Sequence, residues 1–364
     1  MTQLTPAQQE VWNLRQQGFS QKAIAKQLGK SRRTVRDLIA RAENALDRDP
    51  AIQLAMDELG TSHEPDTLWI KTKDYSMQLR PKKSEVSFMD QLVEALRDVE
   101  TAKIIDPPTH ELSDEMVVYP LFDVHHGLLA HAEISGEDTN LDLSKERLLT
   151  GLGRIMGGAP NAYRAVIING GDFTHQTDDM NRTRRSGHVL DVAGRNIVTV
   201  LEAIEIISSA IEMALTKHQV VEYFSVPGNH DPQNWEMILI GIKERYRDNP
   251  RVTIDTTWNE FSVLEHGEVA IFVHHGDKRT PKDLAMFCAA EFPEVWGRTR
   301  YRMLLTGHLH HQKLEEFPGV IWMQLPAVTV RDAHAAGGYK SHSMLMALTF
   351  DRESEVARNT LRLK

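Results

Sequence analysis

Five short segments follow one another along the chain in a fixed order. They are Asp123-Val124-His125, Gly171-Asp172, Gly228-Asn229-His230-Asp231, His274-His275-Gly276 and Gly307-His308-Leu309-His310. Each stands directly behind a short apolar run, at 116–122, 165–169, 220–226, 269–273 and 303–305. Such runs of Val, Ile, Leu and aromatic residues, closed by Gly, Asp or His, read as buried strands. The chain must therefore fold so that five strand ends converge, because sheets of this kind bind ligands in the crevice outside the strands' carboxyl ends. A lone GD or DxH constrains little, whereas all five in order constrain a great deal. Two aspartates, an asparagine and several histidines suit two adjacent divalent ions gripping a phosphate. Mixed oxygen and nitrogen donors favour Mn²⁺, Fe or Zn²⁺ over Mg²⁺, which prefers oxygen throughout.

From residue 116 apolar strands alternate with helical stretches. The longest of these, 189–216, carries Ile197, Leu201, Ile204, Ile207 and Ile211 at helical spacing, which is core packing. Late strands are expected at 320–325 and 344–350. The body at 116–364 should be α/β, with two sheets face to face and helices outside. The single cysteine, Cys288, excludes an intrachain disulfide and a cysteine metal site. No run of 18 apolar residues predicts a membrane span. The polar opening MTQLTPAQQEVW lacks the apolar core of a secretory signal, so a cytoplasmic location is expected.

Charge is divided unevenly. Residues 1–47 hold eight Lys/Arg against four Asp/Glu, a net +4, while the remainder is net −13. A basic head on an acidic body points to nucleic acid. Residues 5–47 read as three helices. Thr5, Pro6 and Gln8 form a capping box for the first. Gly18-Phe19-Ser20 breaks it, Ser20 caps the second, Gly29 ends that, and Ser31 caps the third. Val11, Leu14, Ala23, Ile24, Leu28, Val35, Leu38 and Ile39 face inward. This is the helix-turn-helix plan. Ser31, Arg32, Arg33, Thr34 and Arg36, at the start of the third helix, are the candidate DNA contacts. The stretch GFSQKAIAKQLGKSRRTVRDLIARAENAL resembles the helix-turn-helix of LuxR-type regulators and of sigma-factor region four.

Residues 48–115 read as a linker. It carries a β-hairpin, 68–72 against 76–80 around Lys73-Asp74-Tyr75, then Pro81-Lys82-Lys83, and a helix at 88–99 with Leu92, Leu96 and Val99 on one face. Asp106-Pro107-Pro108 closes it.

The five segments together resemble the calcineurin-like metallophosphoesterase superfamily, whose pattern runs DxH, GD, GNH[DE], H and GHxH. That resemblance covers about residues 116–350. It implies a four-layer α/β/β/α sandwich with a dinuclear site. Asp123, His125 and His310 would hold one metal, Asn229, His275 and His308 the other, and Asp172 would bridge them. It further implies in-line hydrolysis by a metal-activated hydroxide, with His230 as general acid and Asp231 orienting its imidazole. Mn²⁺ is the first expectation, with Fe, Zn²⁺ or Mg²⁺ as alternatives. His274 competes with His275 for its ligand position. His126 and His311 read as supporting or rim residues, approach to substrate is the lesser reading for His175, and His188, His218 and His266 read as surface or structural. Cationic groups for a polyanion are expected from Arg182, Arg184, Arg185, Lys278 and Arg279, with Arg298, Arg300 and Arg302 as a further cluster.

Protein phosphatases of this superfamily carry GDxxDRG and GNHE. Here Phe173-Thr174-His175 follows the GD and the third segment ends in Asp231, which resembles the SbcD-like DNA-repair exonuclease branch. Two features depart from it: Phe122 stands where Ser is usual, and His275-Gly276-Asp277 resembles pyrophosphatase members. The expected function is a phosphodiesterase acting on DNA, as an exo- or endonuclease of phage or bacterial kind. One alternative is a nucleotide or cyclic-nucleotide phosphodiesterase or pyrophosphatase whose helical head serves regulation or DNA localisation. Another is a DNA-binding regulator with a ligand-sensing phosphoesterase domain. DNA is the expected partner, with a homodimer as a further expectation.

Overall fold

The computed structural model describes residues 4–17, 19–46, 68–71, 76–79, 101–183, 187–330 and 342–363. The expected helix at 88–99, the hairpin tip Lys73-Asp74-Tyr75, Pro81-Lys82-Lys83, Gly18, Arg184 and Arg185 lie outside the described residues. The chain divides into two compact units, Met1–Glu100 and Thr101–Lys364.

The first unit contains α1 (Pro6–Gln16), α2 (Gln21–Leu28) and α3 (Arg32–Leu46). The Thr5 side chain accepts the Gln8 amide, and the Gln8 side chain accepts the Thr5 amide in return. Ser20 accepts the Ala23 amide, and Ser31 accepts the Thr34 amide at 3.0 Å. Gly29 takes φ +62° at the end of α2, where a side chain would be strained. Val11, Ile24, Ala25, Val35 and Ile39 form the core of the three helices. The hairpin is present as β1 (Leu68–Lys71) antiparallel to β2 (Ser76–Leu79), pairing Leu68 with Leu79 and Ile70 with Met77.

The second unit is built in four layers. Its first sheet has the order β13-β12-β3-β4-β5-β6. β3 (Ser113–Leu121), β4 (Ala162–Asn169), β5 (Val220–Ser225) and β6 (Val252–Ile254) run parallel, and β12 (Met344–Phe350) and β13 (Glu355–Arg362) close it antiparallel. The second sheet has the order β10-β11-β9-β8-β7. Its centre is β8 (Val269–His274), β9 (Tyr301–Thr306) and β11 (Val320–Gln324), all parallel, between antiparallel edges β7 (Phe261–His266) and β10 (Lys313–Phe317).

The inner faces meet through Val118, Val166, Ile168, Ile271, Val273, Met303, Leu305 and Leu348. Outside the first sheet pack α5 (Leu141–Gly158), α6 (Asn196–Leu215) and α7 (Pro232–Tyr246), by way of Leu152, Ile207, Ile211 and Ile238. A short α4 (Ala132–Ser135) precedes them. Outside the second sheet lie α8 (Pro281–Glu291) and α9 (Pro293–Arg298), with Leu284, Cys288 and Trp322 between. Parallel strands covered on both faces explain the apolar runs at 165–168 in β4 and 269–273 in β8.

Two expectations change. The helix expected over 189–216 begins only at Asn196, because 189–195 is held extended: Val192 bridges Leu128, and the Leu129 amide donates to Asp191. The α/β unit also starts before residue 116. The Ala102 amide donates to the Arg245 carbonyl, and the Arg251 guanidinium donates to the Ile105 carbonyl at 2.6 Å. Residues 101–112 are therefore strapped to the body.

Candidate metal centre

All five segments leave the carboxyl ends of central strands: β3, β4 and β5 in one sheet, β8 and β9 in the other. The backbone at these points is unusual. Among the described residues six non-glycine residues have left-handed φ, and five of them are Asp123, His125, Asp172, His308 and His310. That conformation costs of order 1–3 kcal/mol per residue and persists where the surroundings over-determine it. The sixth, Asn181, lies in the loop before α6.

The side chains gather in two groups, Asp123 with His125 and His310, and Asp172 with His275 and His308. His125 Nε2 lies 3.1 Å from His310 Nε2, and His310 Nε2 lies 3.4 Å from Asp123 Oδ1. His275 Nε2 lies 3.1 Å from Asp172 Oδ2 and 3.2 Å from Asn229 Oδ1. Asp172 Oδ2 is also 3.9 Å from His125 Nε2, so this oxygen stands between the groups. Its Oδ1 accepts the His230 amide at 2.7 Å. Asp123 Oδ2 accepts the His308 amide, while its buried Oδ1 has no hydrogen-bond partner.

Ring nitrogens of His125, His275, His308 and His310 face the two carboxylates. His275 Nδ1–H donates to the Gly170 carbonyl at 3.0 Å, which directs Nε2 toward Asp172. Burial and the neighbouring His230 hold His125 well below the ordinary histidine range, and burial lowers His308. Burial opposes a charge on His275, but the Asp172 and Asp123 carboxylates carry it up to about 10. Burial also opposes ionisation of Asp172, yet His275 and His230 hold its carboxyl well below the usual range. The cluster is thus a convergence of carboxylate oxygens and ring nitrogens, the donor types that hold a divalent cation.

His230 lies at the rim, with Nδ1–H donating to the His175 carbonyl at 2.9 Å. Asp231 does not orient this imidazole, contrary to expectation. Its buried carboxylate accepts the amides of Gly228, Asp172 and Phe173, and of Thr174 at 3.3 Å. Burial and the Asp172 charge raise it to about 6. Four donors from two loops make Asp231 the clasp that fixes the Gly171-Asp172 turn against Gly228. Gly171 itself has φ +92°, and a Cβ there would meet the Gly228 amide nitrogen at 2.7 Å.

The remaining histidines separate cleanly. His175 is buried, 3.2 Å from His125 through their Nδ1 atoms, and forms a third group with His125 and His230. His126 is fully buried rather than at the rim. It bonds Glu202 on α6 at 2.9 Å and Ser144 on α5 at 3.2 Å, and so braces the Asp123–His125 turn. The His311 Nδ1 donates to Leu309. His218 joins Tyr119 to the Ala162 carbonyl inside the core. His274 turns to the opposite face of β8 from His275, against Phe261, and burial lowers it to about 4.

Five of the expected cations have local partners. Arg182 donates to the Gly187 carbonyl. Lys278 pairs with Glu260, and the Arg279 guanidinium stands 5.7 Å over Phe287. Arg298 pairs with Glu265, and Arg302 lies over Trp296. In the first unit Ser31, Arg32, Arg33, Thr34 and Arg36 are all exposed on the first turns of α3.

Residues 1–46 match the family model described as sigma-70, region 4. No curated protein matches the chain. Among solved structures the chain is similar to an archaeal phosphodiesterase (13% identity, 68% of this chain and 100% of that one, TM-score 0.36). It is also similar to YfcE, a phosphoesterase from E. coli (14%, 67% and 98%, TM-score 0.33). A third is Vps29 of Entamoeba histolytica complexed with zinc (13%, 68% and 98%, TM-score 0.33). No helix of the described residues is long and apolar enough to cross a membrane.

Proposed function

We propose that the α/β unit, residues 101–364, is a metal-dependent phosphodiesterase and that residues 1–47 hold it on DNA through α3, with 48–100 as the connecting segment. The observation that carries this reading is the pair of ligand groups with Asp172 Oδ2 between them, 3.1 Å from His275 and 3.9 Å from His125. The donor set fits divalent ions. Asp123 Oδ1 is buried without a hydrogen-bond partner and lies within 4.0 Å of nitrogens from His125, His275 and His310. An unpaired buried carboxylate oxygen facing ring nitrogens is costly unless a cation satisfies both. Asp123, His125 and His310 would hold one ion and Asn229, His275 and His308 a second, with Asp172 shared; Mn²⁺ suits this mixture.

When bound, such ions neutralise a phosphate and bring the pKa of water towards neutrality. The chain supplies the rest. Asp231 and His126 fix the two aspartate turns, so the ligands need not reorganise. His230, with Nδ1 committed to His175 O, presents Nε2 to hold a proton for the departing oxygen. The basic start of α3 raises the local concentration of DNA phosphodiesters around the site. The test is cleavage of end-labelled single- and double-stranded DNA with Mn²⁺, beside bis(p-nitrophenyl) phosphate, with Asp172→Asn as control. DNA cleavage lost in the variant supports the reading. Diester turnover without DNA cleavage moves the substrate to nucleotides.

A further inference from the structure

The pairing of β3 with β4 does not stop where the strands end. The Asp123 amide donates to the Gly171 carbonyl, the His125 amide to Asp172 and the His126 amide to Phe173 at 2.8 Å. The His175 amide returns to the His126 carbonyl at 2.9 Å, and His126 bridges Thr174 in parallel as the outermost rung. The loops that carry Asp123 and Asp172 therefore form one parallel ribbon beyond the sheet.

One side chain ties this rung to the helices. The His126 ring is fully buried, and it meets α5 through Ser144 and α6 through Glu202. A carboxylate only accepts, so His126 Nε2–H donates to Glu202 at 2.9 Å, and Nδ1 is left to accept the Ser144 hydroxyl at 3.2 Å. Both ring nitrogens are thereby paired, as a buried imidazole requires. Without the Glu202 carboxylate a buried N–H loses its acceptor, and the ring loses the contact that sets its direction. The Lys145–Glu205 pair links α5 and α6 beside it at 2.6 Å, so the helices keep a second tie when Glu202 is replaced. Glu202 itself belongs to none of the ligand groups.

From the rung the tie reaches His230 through one residue. His175 donates its amide to His126, and its carbonyl accepts His230 Nδ1–H at 2.9 Å. The His175 ring also stacks on that of His230, with centroids 5.3 Å and planes 24° apart. The Asp231 carboxylate is taken up by backbone amides, so the His230 imidazole takes its direction from His175 instead. We propose that Glu202 is a positioning residue for His230. It holds His126, His126 holds His175, and His175 aims His230 Nε2 at the departing oxygen. The departing oxygen rests on the phosphodiesterase reading, whereas the hold on the ribbon does not.

Hydrogen exchange of EDTA-treated full-length protein, read by mass spectrometry, tests the hold. Glu202→Ala should speed exchange about tenfold or more in peptides carrying the His126 and His175 amides, the scale of one lost hydrogen bond to a charged group. Peptides of β5 and β8 should not change. Glu202→Gln keeps an acceptor oxygen and should restore most of the protection. Unchanged exchange at His126 and His175, or an equal rise in every peptide, overturns the proposal. Turnover under Mn²⁺ tests the aim. Diphenyl phosphate releases a more basic oxygen than bis(p-nitrophenyl) phosphate and so depends more on a proton donor. Glu202→Ala should lower kcat on diphenyl phosphate about 10–100-fold, and bis(p-nitrophenyl) phosphate much less, with KM and calorimetric Mn²⁺ affinity kept. Combined with His230→Asn it should cost nothing further on diphenyl phosphate, because one residue acts through the other. Equal losses on both esters, or additive losses in the double variant, overturn the proposal. If the wild type hydrolyses neither ester while the exchange result is obtained, the phosphodiesterase reading fails and the hold of Glu202 on His126 and His175 stands. Hydrolysis of both esters with unchanged exchange would sink the role of Glu202 alone.

Discussion

Single atoms decide most of the chemistry here. Asp172 Oδ2 stands between the two ligand groups, so Asp172→Asn should lower Mn²⁺-dependent diester turnover at least a hundredfold and weaken metal binding, read by calorimetry. His230 stands beside the cluster, its ring 4.8 Å from that of His125 and its amide on Asp172 Oδ1. His230→Asn should cut kcat by about 10²–10⁴, the range of general-acid contributions, while calorimetry shows Mn²⁺ affinity kept. A loss of metal binding in that variant would reassign His230 as a ligand. Gly171 is a backbone matter. With φ +92° and a would-be Cβ 2.7 Å from Gly228 N and 2.8 Å from His275 Nδ1, Gly171→Ala should destabilise the protein by about 2 kcal/mol or more, seen as a lower urea midpoint. The ligand residue types were legible in sequence because each follows an apolar run. The clasp role of Asp231 was not, since it depends on amides 57–59 residues away along the chain.

At the scale of elements, α3 and the strand ends have different grounds. α3 is set by local rules, a Ser31 cap and an apolar face of Val35 and Ile39, which leave Arg33 and Arg36 outward. Each Arg→Ala change there should weaken DNA binding and reduce the slope of log affinity against log salt by about 1, measured by fluorescence anisotropy over a salt series. An unchanged slope would move DNA contact away from this helix. β4 and β8 were legible because burial on both faces makes 165–168 and 269–273 continuously apolar. β13 was not: Glu355–Arg362 is an edge strand whose residues are mostly charged or polar, and its pairing with β12 is a tertiary decision. The polar β10, at the other sheet's edge, escaped for the same reason.

For the whole molecule, the buried His218 links sheet and helix. Its Nε2 accepts from the Tyr119 hydroxyl, its Nδ1–H donates to Ala162, and its own carbonyl takes the Arg251 guanidinium. Burial lowers it to about 4, against an ordinary 6.5. The unfolded chain therefore binds a proton between these values that the folded protein refuses. Stability rises with pH across the window, and falls as pH drops from 6.5 towards 4, by about 3 kcal/mol for this group alone. Urea midpoints of EDTA-treated protein at pH 7.5 and 4.5 should differ in that sense, and His218→Gln should flatten the difference. An unchanged pH slope would rule out His218 as its source.

What the sequence determined by itself is what short-range physics controls. Caps and turn glycines delimited the three N-terminal helices, apolar runs located the central strands, and residues at their ends named the side chains that the fold brings into one cluster. The tertiary structure decided what depends on distant pairing. It turned His275 to the cluster and His274 to Phe261, by the alternation at the end of β8. It drew residues 101–112 onto the α/β body, the Arg251 guanidinium donating to the Ile105 carbonyl and the Ala102 amide to the Arg245 carbonyl. It also gave the loop cations partners of their own, because a long flexible side chain bonds whatever the fold brings beside it, and sequence spacing carries no record of that.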